Sequence, residues 1–374
     1  MLDPRMTKLA KLLVNYSCDV KPGEKVLIST TSVPEEMDCE IIKEVIKAKG
    51  IPFYETGKER VSRELAKAAS QERMEILKEK DLAFMKKMDC FIAIRGSQND
   101  TENSDIPLET KRVAEKYYGT EVIEERVNNT KWVVLRWPTP SMAQRAGMST
   151  EAFENFYFDV CTLDYEKLAN AEKILKERMD KADKVKIIGP GETDIEFSIK
   201  DIPSICCWGD RNIPDGEVYT APIKDSVNGI IHFNAPTISS GKELDNIKFV
   251  VKDGKIIEAT GSDSEAINFT LDTDEGARYF GEFSIGVNPF INKPMRDTLF
   301  DEKISGSIHL TPGRAYEEAF NGNTSKIHWD LVMIQTPEYG GGEIWFDDEL
   351  IRKDGLFVPD YLQMLNPDAF SKEL

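Results

Sequence analysis

VLISTTSVPEEMDCEIIKEVIKAKG, Val26–Gly50, is the stretch on which the fold turns: a short apolar strand candidate, Val26-Leu-Ile28, gives way to an amphipathic helix over Glu35 to Lys49 that Gly50 stops. Downstream the alternation returns as a strand at Cys90 to Ile94, a helix at Leu108 to Tyr118, a strand at Trp132 to Leu135 and a helix at Ala152 to Cys161. Strands separated by helices need crossover connections, and crossovers make neighbouring strands parallel. Upstream, Leu9 to Tyr16 carries apolar residues at helical spacing before the turn Lys21-Pro-Gly-Glu24. Residues 1–165 are therefore expected to form an N-terminal α/β domain with a mainly parallel sheet.

Beyond that point the texture changes. Leu168 to Lys181 reads as a charged connecting helix, followed by short strands at Val185 to Ile188, Ile195 to Ile199, Gly229 to Phe233 and Ile247 to Val251. One further helix is clear, near Ser264 to Leu271. Residues 166–374 are expected as a β-rich α+β C-terminal domain, and no internal repeat or low-complexity tract interrupts either half.

With 374 residues, 40% hydrophobic and 30% charged, the chain has the profile of a globular protein of two or three domains. Forty-eight basic against 66 acidic side chains leave a net charge of −18, which repels phosphate backbones and anionic lipid. No basic patch offsets it, so neither nucleic acid nor a membrane is an expected partner. No apolar run approaches the roughly 18 residues of a membrane span, and the start reads as a helix and not a signal peptide. A cytoplasmic location is expected. Six cysteines, Cys18, Cys39, Cys90, Cys161, Cys206 and Cys207, lack CxxC spacing and read as reduced thiols, the adjacent Cys206 and Cys207 as core. The sequons at Asn128 and Asn268 have no use without secretion.

Histidine is rare, with three copies, His232, His309 and His328. Lys326 to Met333 is apolar enough for a strand, where residues two apart share a face, so His328 and Asp330 would point together while Ile327, Trp329, Leu331 and Met333 pack the other way. By the same alternation His309 stands opposite Ile308 and Leu310, Glu282 opposite Phe283 and Ile285, and Glu217 opposite Val218. Two imidazoles and three carboxylates suit Zn²⁺, Co²⁺ or Mn²⁺ and are too rich in nitrogen for Ca²⁺. Five such ligands could hold two divalent metal ions about 3.5 to 4 Å apart, as used for metal-assisted hydrolysis. Spacing alone leaves a hydrogen-bonded surface couple open beside a shared metal site. No HExxH, Walker loop, GxSxG or GxGxxG promotes another mechanism, and Gly189-Pro-Gly191 and Gly340-Gly-Gly342 read as turns.

Five blocks, Leu9 to Glu24 (LAKLLVNYSCDVKPGE), Asn212 to Pro222 (NIPDGEVYTAP), Gly281 to Pro289 (GEFSIGVNP), Asp301 to His309 (DEKISGSIH) and Asn323 to Asp330 (NTSKIHWD), resemble the aminopeptidase T family of metallo-aminopeptidases in order and over nearly the whole chain. The resemblance implies that Glu217, Glu282, His309, His328 and Asp330 fall on metal ligands for two ions, Zn or Co before Mn, and that Tyr316 falls on a catalytic tyrosine. It also implies hydrolysis of the N-terminal residue of short peptides by a homodimer enclosing a cavity. His232 matches no ligand and reads as a strand residue, while Arg314 could meet a substrate carboxylate or lie on the surface. Trp208, Tyr219, Phe233 and Phe283 read as packing, with a pocket lining the alternative. Two rival functions are a mononuclear iron ring-cleaving dioxygenase, using His309, His328 and Asp330 as a facial triad, and a non-enzymatic metal-binding protein.

Overall fold

Strand β1 (Lys25–Thr31) pairs in parallel with β2 (Ile51–Gly57) on one side and β3 (Cys90–Arg95) on the other, and β3 pairs with β4 (Lys131–Arg136). A two-residue strand, Asn212–Ile213, extends the parallel sheet beside β4. The computed structural model describes residues 3–239 and 242–370, and the chain divides into two units, Met1–Leu163 with Gly209–Pro214, and Asp164–Trp208 with Asp215–Leu374. A single cut at 165 does not describe this division, because Gly209–Pro214 returns to the first unit to supply that added strand.

In the first unit the two-residue period of each strand sorts its apolar side chains onto opposite faces. Leu27, Phe91 and Trp132 stand in register and pack with Met85 and Met88, while Val26, Ile28, Ile92 and Val133 are fully buried on the other face. Strands buried on both faces, as β1 and β3 are, read as unbroken apolar runs, and β4 does so with one face buried and the other half-buried. The edge strand β2, IPFYETG, is mostly exposed or half-buried and gives no such run. The helix Glu35–Lys47 buries Met37, Ile41 and Val45. It ends two residues before the expected limit, with Lys49 at φ 63°. Gly50 is required by space and not by its φ, since a Cβ there would lie 2.9 Å from Val20 Cγ1. The first helix runs Pro4–Leu12 and widens into a π turn at Leu13–Ser17. Charge-rich helices at Glu59–Lys67, Gln71–Met85 and Glu121–Asn129 were not anticipated.

The second unit is antiparallel. An eight-stranded sheet runs in the spatial order Lys255–Thr260, Ile247–Lys252, Asn228–Phe233, Asp194–Ser198, Lys184–Ile188, Glu343–Phe346, Glu349–Lys353, Leu356–Phe357. A five-stranded sheet is built from β5 (Ile205–Cys207), β6 (Glu217–Thr220), β7 (Phe280–Gly286), β8 (Ser307–Pro312) and β9 (Val332–Ile334), ordered β9-β8-β7-β6-β5. The connecting helix is Tyr165–Met179, and Ser264–Leu271 is helical as expected. The expected strand over Lys326 to Met333 is corrected: regular strand begins only at Val332, with an isolated bridge between His328 and Gly313 before it. Pro312 has no N–H to donate, so the ladder breaks there, yet its carbonyl still accepts from Trp329 N at 3.1 Å. That bond and Leu310 N to Leu331 O, at 3.2 Å, keep the segment alongside β8.

Ile92, fully buried at the centre of the parallel sheet, gives a test of this packing. Ile92→Ala is expected to lower the stability of the first unit by about 2 to 5 kcal/mol, read as an earlier urea transition.

Candidate metal centre

The strands of the five-stranded sheet give one face to the core and the other to a buried polar cluster. Val218, Phe283, Ile285, Ile308 and Leu310 are fully buried, and Phe283 meets Phe197 edge to face at 5.0 Å. The residues between them, Glu217 and Tyr219 on β6, Glu282 and Ser284 on β7, and His309 and Thr311 on β8, therefore share the opposite face. His328 and Asp330 join them from the segment beside β8 and keep their two-residue relation without regular strand.

The pairing irregularity between Phe280 and Glu282 lies at Gly281. A Cβ there would come within 2.4 Å of the Arg314 carbonyl and 2.5 Å of the Gly313 carbonyl, so only glycine admits the Thr311-Pro-Gly313 turn at this approach. The turn brings the Arg314 carbonyl to His328, whose Nδ1 donates to it at 2.8 Å. His309 Nδ1 likewise faces the Glu302 carbonyl at 3.3 Å. Both rings thereby present Nε2 to the cluster, the arrangement in which an outer hydrogen bond orients a metal-binding imidazole.

His309 Nε2 lies 2.8 Å from Glu282 Oε1 and 3.4 Å from Glu217 Oε2. His328 Nε2 lies 3.2 Å from Asp330 Oδ1 and 3.5 Å from Glu282 Oε2. Two groups of ligand atoms result, Glu217–Glu282–His309 and Glu282–His328–Asp330, each with its atoms within 4.8 Å of one another and both containing Glu282. Glu282 Oε2 is buried and has no hydrogen-bond partner. An orphaned carboxylate oxygen between two imidazoles, in an all-nitrogen-and-oxygen donor set, fits divalent cations.

The electrostatics agree. Burial opposes the charge on His309, yet Glu217 and Glu282 hold its imidazole up to about 10, and Asp330 does the same for His328, to about 9. Burial also opposes ionisation of Asp330, but His328 pulls its carboxyl well below the usual range. Glu282 is pushed up by burial, against the pull of His309.

Behind this set stand residues that the ligand pattern did not single out. Thr311 Oγ1 donates to Asp330 Oδ1 at 2.8 Å and Ser284 Oγ to Glu217 Oε2 at 3.0 Å. Each lies two positions from a ligand on the same strand, so the alternation contained the signal. Lys303, fully buried, donates to Glu217 Oε1 at 3.2 Å and to Glu302. No periodicity pointed to it, since it precedes β8. Burial pushes the Glu302 carboxyl up to about 8, with Lys303 opposing.

Tyr316 follows the turn, its ring 4.5 Å from that of His328 and 5.8 Å from that of Tyr219. Burial, with Glu282 nearby, keeps its phenol well above the usual range and so protonated. His232 lies on the strand Asn228–Phe233, beside Gly191, and is in neither ligand group. Arg314 contributes its carbonyl. Phe233 and Phe283 are core, whereas Tyr219 faces the cluster, and Lys173 sits over the ring of Trp208. Cys206 and Cys207 are half-buried on β5 and not core, and burial raises both thiols.

A family model described as thermophilic metalloprotease (M29) matches residues 2–343. Aminopeptidase T of Thermus aquaticus is 34% identical over 165 residues, 40% of this chain and 38% of that one. Aminopeptidase 2 of Geobacillus stearothermophilus is 36% identical over 110 residues, 28% of this chain and 26% of its own length. Aminopeptidase PepS of Streptococcus thermophilus is 24% identical over 409 aligned positions, covering 95% of this chain and 96% of that one. The matches to the first two thus span well under half of those proteins. Among solved structures, wild-type AmpT from Thermus thermophilus has the same fold, with a TM-score of 0.80 at 20% identity over 95% of this chain and 99% of that one. A 2,5-dihydroxypyridine dioxygenase from Pseudomonas putida KT2440 is a more distant likeness of fold, with a TM-score of 0.61 at 12% identity over 97% and 99%.

An imidazole that ligates a cation through Nε2 carries no proton there. Values of about 10 and about 9 mean that His309 and His328 both hold protons near neutrality, so uptake of a cation by these imidazoles would expel them. Adding Zn²⁺ to chelator-treated protein in weak buffer at about pH 7.5 is expected to release about two protons per chain, with affinity rising as pH increases toward about 9 to 10. Proton release detected with an indicator dye checks this, and His232→Ala should leave it unchanged.

Proposed function

Because the chain belongs to the thermophilic metalloprotease (M29) family, we propose that it is a metal-dependent aminopeptidase that removes the N-terminal residue from short peptides. In this reading Glu217, Glu282, His309, His328 and Asp330 hold two divalent ions, Zn²⁺ or Co²⁺ in preference to Mn²⁺, with Glu282 common to both. The observation that carries it is the pair of three-ligand groups sharing one carboxylate whose outer oxygen is orphaned. A cytoplasmic homodimer acting on peptides, and on neither nucleic acid nor membranes, belongs to the same proposal; the net charge of −18 supports its last part.

Divalent ions at these ligands supply Lewis-acid activation of water and polarisation of the scissile carbonyl. The chain's own groups do the rest. The Nε2 atoms of His309 and His328 are held toward the cluster by the Glu302 and Arg314 carbonyls on the far side of each ring, so both imidazoles are oriented before a cation arrives. A carboxylate of the cluster can accept a proton during hydrolysis. Tyr316 Oη, still protonated, donates a hydrogen bond to the oxyanion that develops at the carbonyl. The substrate's free α-amine would be received by an acidic side chain of the cluster or by a metal ion. The dioxygenase reading, which needs only His309, His328 and Asp330, leaves Glu217 and Glu282 without a use in the same cluster.

Two measurements test the proposal. With Co²⁺ or Zn²⁺ added, aminoacyl-nitroanilides should be hydrolysed and their N-acetylated counterparts should not; equal rates would replace the exopeptidase reading with an amidase one. Tyr316→Phe should bind metal normally and keep KM within a few fold while kcat falls by about 10² to 10³, or roughly 3 to 4 kcal/mol. A kcat near wild type would remove Tyr316 from the mechanism.

A further inference from the structure

Behind Glu217 lies a second charge cluster that the ligand assignment leaves unexplained. Lys303 is wholly buried, and its Nζ lies 3.2 Å from Glu217 Oε1, 3.9 Å from Asp215 Oδ1 and in contact with Glu302 Oε1. Asp215 is itself 1% exposed. Cys207, Asp215 and Glu217 also bring possible ligand atoms within 4.8 Å of one another, which on composition alone would nominate another metal position. The ammonium beside two of those three groups argues against that, because a cation bound there would face a fixed positive charge a few ångströms away. The counter-charge at this position is the protein's own.

The consequence falls on Glu217. Its two oxygens have different partners: Oε1 accepts from Lys303, whereas Oε2 accepts from Ser284 and lies 3.4 Å from His309 Nε2. We propose that Lys303 is a positioning residue that holds Glu217 by Oε1, so that only Oε2 reaches the position shared with Glu282 and His309, and that it keeps this inner position a single-oxygen site for Glu217. The inference rests on the two-cation reading and goes beyond it by making the two positions unequal. The outer position, formed by Glu282, His328 and Asp330, is supported by Thr311 and the Arg314 carbonyl, and among the described residues no lysine pairs with its ligands.

The test is titration of Co²⁺ into the chelator-treated full chain, followed by calorimetry and by the visible absorption of the bound ion. Wild type should take two Co²⁺ per chain. Lys303→Met and Lys303→Gln should weaken one of the two by about 10- to 100-fold, the range for losing an outer-shell partner, and leave the other within about threefold. Lys303→Arg, which retains the charge, should restore the weakened position to within about threefold and recover the wild-type spectrum. Two undisturbed positions in a folded neutral variant, or an equal loss in Lys303→Arg, would overturn the assignment. If neither neutral variant folds, Ser284→Ala decides: with Lys303 still on Oε1 the loss should not exceed about threefold, and a tenfold loss would give the positioning to the serine. Wild type that never takes a second Co²⁺ would instead remove the two-cation reading on which this inference stands, and it would be seen before any variant is made.

Discussion

Glu217, Glu282, Asp330, Glu302 and Asp215 occupy one largely buried region, and carboxylates taken out of water need positive charge within a few ångströms. The rest of the second unit's site can be read as an answer to that requirement. Lys303 supplies one permanent charge at the back of the cluster. The two imidazoles, His309 deeper and His328 nearer solvent, supply further charge by holding protons well beyond their ordinary range, and those protons sit where a divalent cation would sit. The backbone is arranged to the same end: Gly281 lets the turn after β8 pass close enough for the Arg314 carbonyl to fix His328. A sheet face that would otherwise be covered by apolar residues is thereby kept polar, while its opposite face anchors the unit through Phe283, Ile308 and Leu310.

The sequence disclosed these features unevenly, and the differences have physical reasons. β1 and β3 are buried on both faces and β4 buries Val133 and Leu135 with Trp132 and Val134 half-buried, so all three are continuous apolar runs, whereas β2 lies at the sheet edge with a half-exposed sequence and has no such signature. The charged helices Glu59–Lys67, Gln71–Met85 and Glu121–Asn129 bury Met74 and Met85 and no other residue, so they carry no apolar face of the kind that marks a core helix. In the second unit the alternation placed Glu217, Glu282 and His309 opposite apolar neighbours because they lie on regular strands. His328 and Asp330 were grouped through a strand that is only partly there; the spacing survived because hydrogen bonds to β8 keep that segment extended past the break at Pro312. Ser284 and Thr311 were legible by the same rule and lay one step beyond the residues chosen as ligands. Lys303 was not legible, because a lysine ahead of a strand looks like any solvated lysine until tertiary structure closes over it.

The cluster is graded from back to front, and the gradient gives the proposed chemistry a direction. His309 is 1% exposed, and of its two partner carboxylates Glu217 is held from behind by Lys303 and Ser284, so this end is enclosed. At the other end the side chains of His328 and Asp330 are 14% and 13% exposed, and Tyr316 beside them is 39% exposed. In the proposed reaction a substrate carbonyl arriving from solvent would meet the Tyr316 phenol and the Glu282–His328–Asp330 group first, with the Glu217–Glu282–His309 group behind. A hydrogen-bond donor that serves only the transition state belongs at this front edge, where it reaches the reacting atom without competing for a ligand position. Glu282 belongs to both groups and so links the enclosed end to the exposed one, and the proposed hold of Lys303 on Glu217 would bear on the proposed reaction through that shared carboxylate.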